Sequence, residues 1–436
     1  MNRRIKLFRN FNRSGLCHNL RRKFRSLNST HPGNLYCRLI ISIILVQVLF
    51  FFCSVPSVKG QYETDLFGYF EPQYLGAVIQ GDYIQLQSNK LRIDLEASAF
   101  DRVSFGANFD FITYHGKTHW NILDYLPENV TSVIPPEYHD FYVLPFENQI
   151  FLDNAYLKFA LKYADITVGR QQISLGTGYV WNPTDLFNTK DVLDPTYEQP
   201  GHNAIRLEIP IGSRYGFTAL YAVDDEWKNS DKLLQFKGGV SRFDFSVIAV
   251  EKIWTFHDYT QFVPATSFYL ALPEKRHMLG ASIAGELFGL GIWGEYAYNR
   301  MENTKDFYEM IAGIDYTFDF QTYFLIEYYR NTLGKVDHND YTFNDWMQFM
   351  AAEQKSICRD QIYGIVQHPV TDLIYLGLSG IYCISDNSFA LVPMLNSSVT
   401  NNVELLLYLN FYLGKDETFY ASNLGNGGMI RARIYF

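Results

Sequence analysis

Two kinds of residue in this 436-residue chain have the types and spacing to do chemistry. The first are charges set at every second position inside apolar runs. In 91–100, LRIDLEASAF, Arg92, Asp94 and Glu96 fall on one face, and Leu91, Ile93, Leu95, Ala97 and Ala99 on the other. Side chains alternate across an extended strand, so such a segment is a ribbon with one charged and one apolar side. The same parity puts Lys158, Arg206, Arg431 and Arg433 opposite apolar faces, together with Glu208, Glu286, Glu295, Asp315, Glu327 and Glu404. Facing hydrocarbon near mid-depth, an Arg or Lys would cost about 2–4 kcal/mol. The charged faces are therefore expected to border water and the apolar faces lipid. In a narrow barrel such charges would only pair across the wall; in a barrel of about 18 strands they line an aqueous lumen.

The second kind are cysteines. Cys358 and Cys383 alone follow residue 60. They flank an expected hairpin, 361–367 with 371–380, and an oxidising compartment would permit a bond. Pairing Val366 with Ile374, however, sets Cys358 opposite Tyr382, one residue out of step. A disulfide then requires the ladder to break or bulge.

Enzyme signatures are absent: no Gly-x-Ser-x-Gly, His-Glu-x-x-His, phosphate-binding Walker loop or Cys-x-x-Cys occurs. Gly176-Thr177-Gly178 reads as turn chemistry. His277 and Ser282 fit ordinary strand positions. The 10 histidines lack ligand spacing, so no metal and no cofactor is expected.

The elements that must position these charges are short alternating strands. We read them at 78–88, 91–100, 103–114, 150–162, 164–173, 203–210, 215–223, 233–240, 243–251, 277–287, 289–298, 308–317, 321–330, 361–367, 371–380, 387–396, 402–412 and 428–436. The first and the sixteenth of these are the weakest, and losing both leaves 16. Tight turns alternate with long segments, chiefly 115–149, 174–202, 252–276 and 331–360. Short turns on one side and long loops on the other are the pattern of an outer-membrane barrel. The expected fold is thus all-β, a transmembrane antiparallel β-barrel over 78–436, with short periplasmic turns and long extracellular loops. The apolar stretch from Leu39 to Val58 has a second reading as a retained anchor, and no other apolar run is long enough for a membrane helix.

The loop 174–202 carries Trp181, Asn182, Asp185, Asp191, Asp194 and Glu198, stiffened by Pro183, Pro195 and Pro200. It reads either as a surface loop or as a constriction folded into the lumen.

Residues 1–60 hold 11 Lys or Arg and no acid. The basic stretch and the apolar run from Leu39 to Cys53 fit a signal segment, leaving 61–77 as a periplasmic N-terminal segment. The remainder holds 26 basic and 46 acidic side chains. That balance argues against nucleic acid as a partner.

The last strand, MIRARIYF, alternates Ile430, Ala432, Ile434 and Phe436 against Arg431, Arg433 and Tyr435, and ends on an aromatic. In this the chain resembles bacterial outer-membrane porins, in which such an end is read by the barrel-assembly machinery. The segment 168–188, VGRQQISLGTGYVWNPTDLFN, is similar to a Gly-Arg-Gln strand and loop of alginate-type export channels. The resemblance implies an outer-membrane channel for small polar or sugar-like solutes, an inward-folded third loop and a homo-trimer. Two rival readings stand beside it: a surface-binding or polysaccharide-assembly barrel without an open pore, and a barrel enzyme.

Overall fold

The computed structural model describes residues 62–99, 102–190, 198–223, 229–263 and 268–436. The expected signal segment, Asp191 and Asp194 lie outside these.

The chain runs β1 (Tyr62–Ile79), β2 (Asp82–Ala99), β3 (Val103–Gly116), a small hairpin of β4 (His119–Asn121) and β5 (Val143–Pro145), then β6 (Gln149–Ala160) and β7 (Asp165–Gln172). It continues with β8 (Gly201–Ile211), β9 (Tyr215–Val223), β10 (Ser230–Val240), β11 (Phe243–Val263), β12 (Phe268–Leu287), β13 (Leu290–Met301), β14 (Phe307–Thr317) and β15 (Tyr323–Asn331). The last strands are β16 (Asp360–Thr371), β17 (Ile374–Cys383), β18 (Ser388–Thr400), β19 (Val403–Tyr412) and β20 (Asn426–Tyr435). All but β4 and β5 form one 18-stranded sheet of antiparallel neighbours, closed where β20 pairs with β1. The terminal residue completes the seam: Phe436 and Gly68 exchange both backbone N–H···O bonds at 3.1 Å. Closure leaves no free strand edge, the condition for a sheet to stand in hydrocarbon.

Alternation decides which side chains see the lumen. On β12, Leu279 and Ile283 are exposed outward while Met278 and Ser282 are buried inward. Ile150, Leu234, Ile326, Leu407 and Ile430 continue the apolar outer surface. Aromatic side chains at the short-turn end, Tyr163, Phe288 and Phe320, are strongly exposed, as in an interfacial girdle. His277 is outward and Ser282 inward on the same strand, so the two cannot cooperate in one site.

Two sequence expectations are corrected at the N-terminus. Residues 61–77 are not a periplasmic segment, because Tyr62–Ile79 is the first barrel strand. The expected strand 78–88 begins on the end of β1, and its remainder from Asp82 runs on with the expected strand 91–100 as one strand, β2. The turn lies at Gln80-Gly81, where both φ values are positive (49° and 87°), the backbone that suits a two-residue hairpin. One missed strand and one split strand offset each other, so the count of 18 stands. The expected loop 252–276 is also largely strand, since β11 and β12 run past the membrane as a tall hairpin.

The long-loop end of the lumen is packed with apolar side chains. The helix Phe343–Met350 starts at Thr342, whose capping box with Asp345 satisfies its first N–H groups. Its Phe343, Trp346, Met347 and Met350 join Trp120, Leu126 and Tyr142 of the preceding long segment and inward Ile84, Leu86, Tyr408 and Met429 of the wall in one buried cluster. Cys358 and Cys383 form a disulfide inside it, with Cα atoms 6.4 Å apart and both residues fully buried. The register objection falls because the ladder pairs Gln361 with Cys383, bulges between Pro369 and Thr371, and ends at Asp360. Cys358 thus lies beyond the ladder and is free to turn inward, bridging Lys335.

Candidate functional site in the barrel lumen

Residues 173–190, which follow β7, fold into the barrel and reach the far wall. What holds it is a pair of carboxylates on that wall. Glu327 of β15 accepts the backbone N–H groups of Tyr179 (2.7 Å), Val180 (3.0 Å) and Trp181 (2.9 Å), and the indole N–H of Trp293 (2.6 Å). Glu295 of β13 accepts from the N–H groups of Thr177, Gly178 (2.8 Å) and Thr184 (3.2 Å), and from the Thr184 hydroxyl (2.9 Å). Consecutive N–H groups converging on one anion form a concave nest, and a carboxylate fills it well. Gly176 and Gly178 allow the close approach: a Cβ on Gly176 would meet the Glu295 carboxylate at 2.5 Å, and one on Gly178 the Trp181 carbonyl at 1.8 Å.

Apolar contacts add to this. Trp181 stacks on Tyr329, with centroids 4.9 Å apart and planes 10° from parallel. On its other side the loop sets Ile173, Leu175, Leu186 and Phe187 against inward Leu220, Leu233, Ile248 and Met278. Asn182 donates its amide to the carbonyl of Leu175 (2.8 Å). Asp185 closes a local turn, accepting from the N–H groups of Phe187 and Asn188, and burial pushes its carboxyl above the usual range. Asn182 and Asp185 are thus tied into the loop by its own backbone.

The loop's return end is fastened elsewhere. Glu198 accepts from the Tyr69 hydroxyl (2.6 Å) and lies 2.5 Å from the Lys90 ammonium, 3.0 Å from Arg433 and 3.6 Å from Arg92. Burial alone would raise its carboxyl, but Lys90, Tyr69 and Arg433 outweigh that and hold it well below the usual carboxylate range. Around it β1, β2, β3, β6 and β20 supply a field of both signs. Arg92 meets Asp94 at 2.9 Å and Asp153 at 3.5 Å, Lys90 meets Asp110 at 3.2 Å, and Arg431 and Arg433 meet Glu71 at 3.4 and 2.6 Å. Glu198 is a third exposed, more than any of the cations it touches.

The remaining residues singled out by alternation sit apart from this cluster. Lys158 pairs with Asp165 at 2.8 Å and Arg206 with Glu208 at 3.5 Å. Asp315 accepts from the Tyr323 hydroxyl and Glu404 from the Tyr435 hydroxyl. Glu96 is exposed on the lower part of β2. Glu286 stands at the short-turn rim beside Arg242, with more than half of each side chain exposed. Glu295 and Glu327, expected to face open water, are almost fully buried under the loop. Sequence reading missed Glu71 and Tyr69 with the first strand, Lys90 as a supposed turn residue, and Asp110 and Asp153. Extending the β2 alternation back through Lys90 to Leu86 and Ile84 would have found Lys90.

No protein-family model matches the chain, and no curated protein matches it. Solved structures do. The chain is similar to OccAB4 of Acinetobacter baumannii, with a TM-score of 0.52 and 8% identity over 86% of this chain and 97% of that one. OccAB2 of the same organism gives 0.52 and 9% over 86% and 98%. OccK5 (OpdH) of Pseudomonas aeruginosa gives 0.50 and 9% over 86% and 97%. What these share with the chain is the fold. A closed 18-stranded antiparallel barrel with an apolar outer surface is an outer-membrane barrel, and the outer membrane is its place.

Proposed function

We propose that the protein is a passive or facilitated channel for small polar solutes, with the loop from β7 to β8 as its constriction. The observation that carries this is the crossing of the lumen by that loop, pinned at Glu295 and Glu327 on one wall and by Glu198 to the opposite one. A loop serving only as outer surface needs no such anchors. Partly exposed charges of both signs border it, among them Lys90, Arg92 and Arg433. Such a transverse field orients dipolar solutes, since rings and walls of charge set pore selectivity. A sugar-like solute agrees with the resemblance of 168–188 to alginate-type export channels. Export signal, barrel-assembly machinery and a homo-trimer belong to the same reading.

The test is a planar bilayer with the purified, heat-modifiable barrel. Discrete conductance steps are expected. With 46 acidic against 26 basic side chains after residue 60, the reversal potential under a KCl gradient should show mild cation preference that weakens as salt shortens the screening length. A folded barrel that inserts without conducting overturns the reading and leaves a closed binding barrel in its place.

A further inference from the structure

The carboxylates of the far wall hold the N–H edge of the constriction loop; its carbonyl edge is held by a second long loop. Lys355, from the segment between β15 and β16, donates its ammonium to the carbonyl oxygens of Asn182 (2.6 Å) and Pro183 (3.3 Å). These two residues lie between Trp181, bound to Glu327, and Thr184, bound to Glu295. The ammonium also lies 3.7 Å from Glu309 of β14, which pairs with Arg276 at 3.2 Å. Arg276 is in turn fixed under the rings of Trp254 and Phe307, at 4.3 and 4.9 Å.

Three residues along the chain from Lys355 is Cys358, bonded to Cys383 at the end of β17. The intervening backbone is not slack. Ile357 accepts the Lys335 N–H (2.8 Å), Arg359 donates to the Lys335 carbonyl (3.0 Å), and the Ser356 hydroxyl donates to the Cys358 carbonyl (2.9 Å). A cavity of about 280 Å³ adjoins the Lys355 side chain, lined also by Arg276, Glu309, Trp254 and Glu353. An untethered Lys355 therefore has room to swing off the loop.

We propose that Lys355 is a positioning residue through which the Cys358–Cys383 bond sets the constriction. The disulfide fixes the second loop to the wall; that loop fixes Lys355; Lys355 fixes the carbonyl edge at Asn182 and Pro183. Oxidation, in which the two thiols pass two electrons and two protons to the disulfide of a thiol–disulfide exchange partner and that disulfide is reduced to a dithiol, is then a maturation step for the pore. An unoxidised chain forms the same barrel around a looser constriction. The consequence for conductance rests on the channel reading above, but the placement of the loop does not.

Amide hydrogen exchange over 177–184 reads that placement directly, whether or not the barrel conducts. Lys355→Met and the Cys358→Ser, Cys383→Ser pair should each speed exchange there about tenfold, the scale of one lost charge-assisted hydrogen bond. Exchange in 236–240, at the short-turn end of β10, should stay unchanged. Because both act along one line, combining them should add little to either alone. Lys355→Arg should restore most of the protection. Unchanged exchange at 177–184 in the serine pair, or fully additive effects, overturns the proposal. Should Lys355→Met fail to fold, Lys355→Gln gives the same reading, and the serine pair alone remains decisive. In bilayers the variants should show larger or noisier steps. Altered exchange with no conductance in any form would refute the channel while leaving the coupling intact.

Discussion

Glu327 on the barrel wall accepts the backbone N–H of Trp181 on the constriction loop at 2.9 Å, and the Trp181 indole lies flat on Tyr329, two residues along the same strand. Glu327→Gln keeps the shape and removes the charge. All four partners are N–H donors, two on each carboxylate oxygen, so the amide nitrogen that replaces one oxygen loses both of its bonds and forms none in their place. The expected cost to loop docking is about 2–3 kcal/mol. Single-channel recordings should show a higher or noisier current while the heat-modifiable mobility of the barrel stays the same. A change confined to cation selectivity, with a quiet current of unchanged size, would mean that the carboxylate faces solute.

Acid should release the return end of the loop late. Lys90, Tyr69 and Arg433 depress the Glu198 carboxyl against the effect of burial. A folded-state value below the unfolded one, about 4.3 for Glu, gives stability that is present above that pH and is lost as pH falls through the folded value. Protease nicking or exchange at 198–201 should therefore stay flat from pH 7 to about 5 and rise only below about 4. Glu198→Gln should abolish this dependence. Release between pH 5 and 6 would show that another group controls the tether.

The disulfide closes a loop across a sequence separation of 25, for which chain entropy predicts about 3.5 kcal/mol. Alkylation should leave the intact protein unmodified at both cysteines and label them only after unfolding and reduction. In the Cys358→Ser, Cys383→Ser pair, added protease should cut within 332–359 sooner than in the parent. Equal labelling with and without reduction would show free thiols.

Orientation is open to a direct check. Asp337 lies in the long segment after β15 and Arg242 in the tight turn before β11, both well exposed. Epitopes at the two sites should label on intact cells at Asp337 and only after permeabilisation at Arg242. The reverse pattern inverts the barrel.

Where strands cross lipid, the sequence was easily read. β9 begins and ends where alternation puts it, and β14, β15 and β19 lie within two residues, because one face must be apolar there. Reading failed where strands leave the bilayer. The upper half of β2 sets Gln85, Gln87 and Asn89 outward and Ile84 and Leu86 inward against packed loops. That reverses the usual assignment of polar to lumen and apolar to outside, and Asn89-Lys90 then looks like a turn. β11 and β12 were cut short for the same reason, with Tyr259 and Tyr269 packed inward beyond the membrane. Charge parity turns Glu295 and Glu327 inward but does not say what they meet. Their partners are backbone N–H groups more than a hundred residues away, and a backbone donor leaves no mark in the residue alphabet.

The anchoring of one loop to strands on both sides of the seam also fixes a chronology. The loop follows β7, but its wall carboxylates arrive with β13 and β15, and a guanidinium of its return site only with β20. While the first half of the ring is being laid down, the loop has nowhere to dock. Its first end can seat once β15 is in place, and Glu198 meets Arg433 only when the final strand zips against the first. The fastening of the loop's return end is thus the last thing to be finished, and a chain that stalls before its C-terminal strand has a loop seated at one end without the Arg433 clasp at the other.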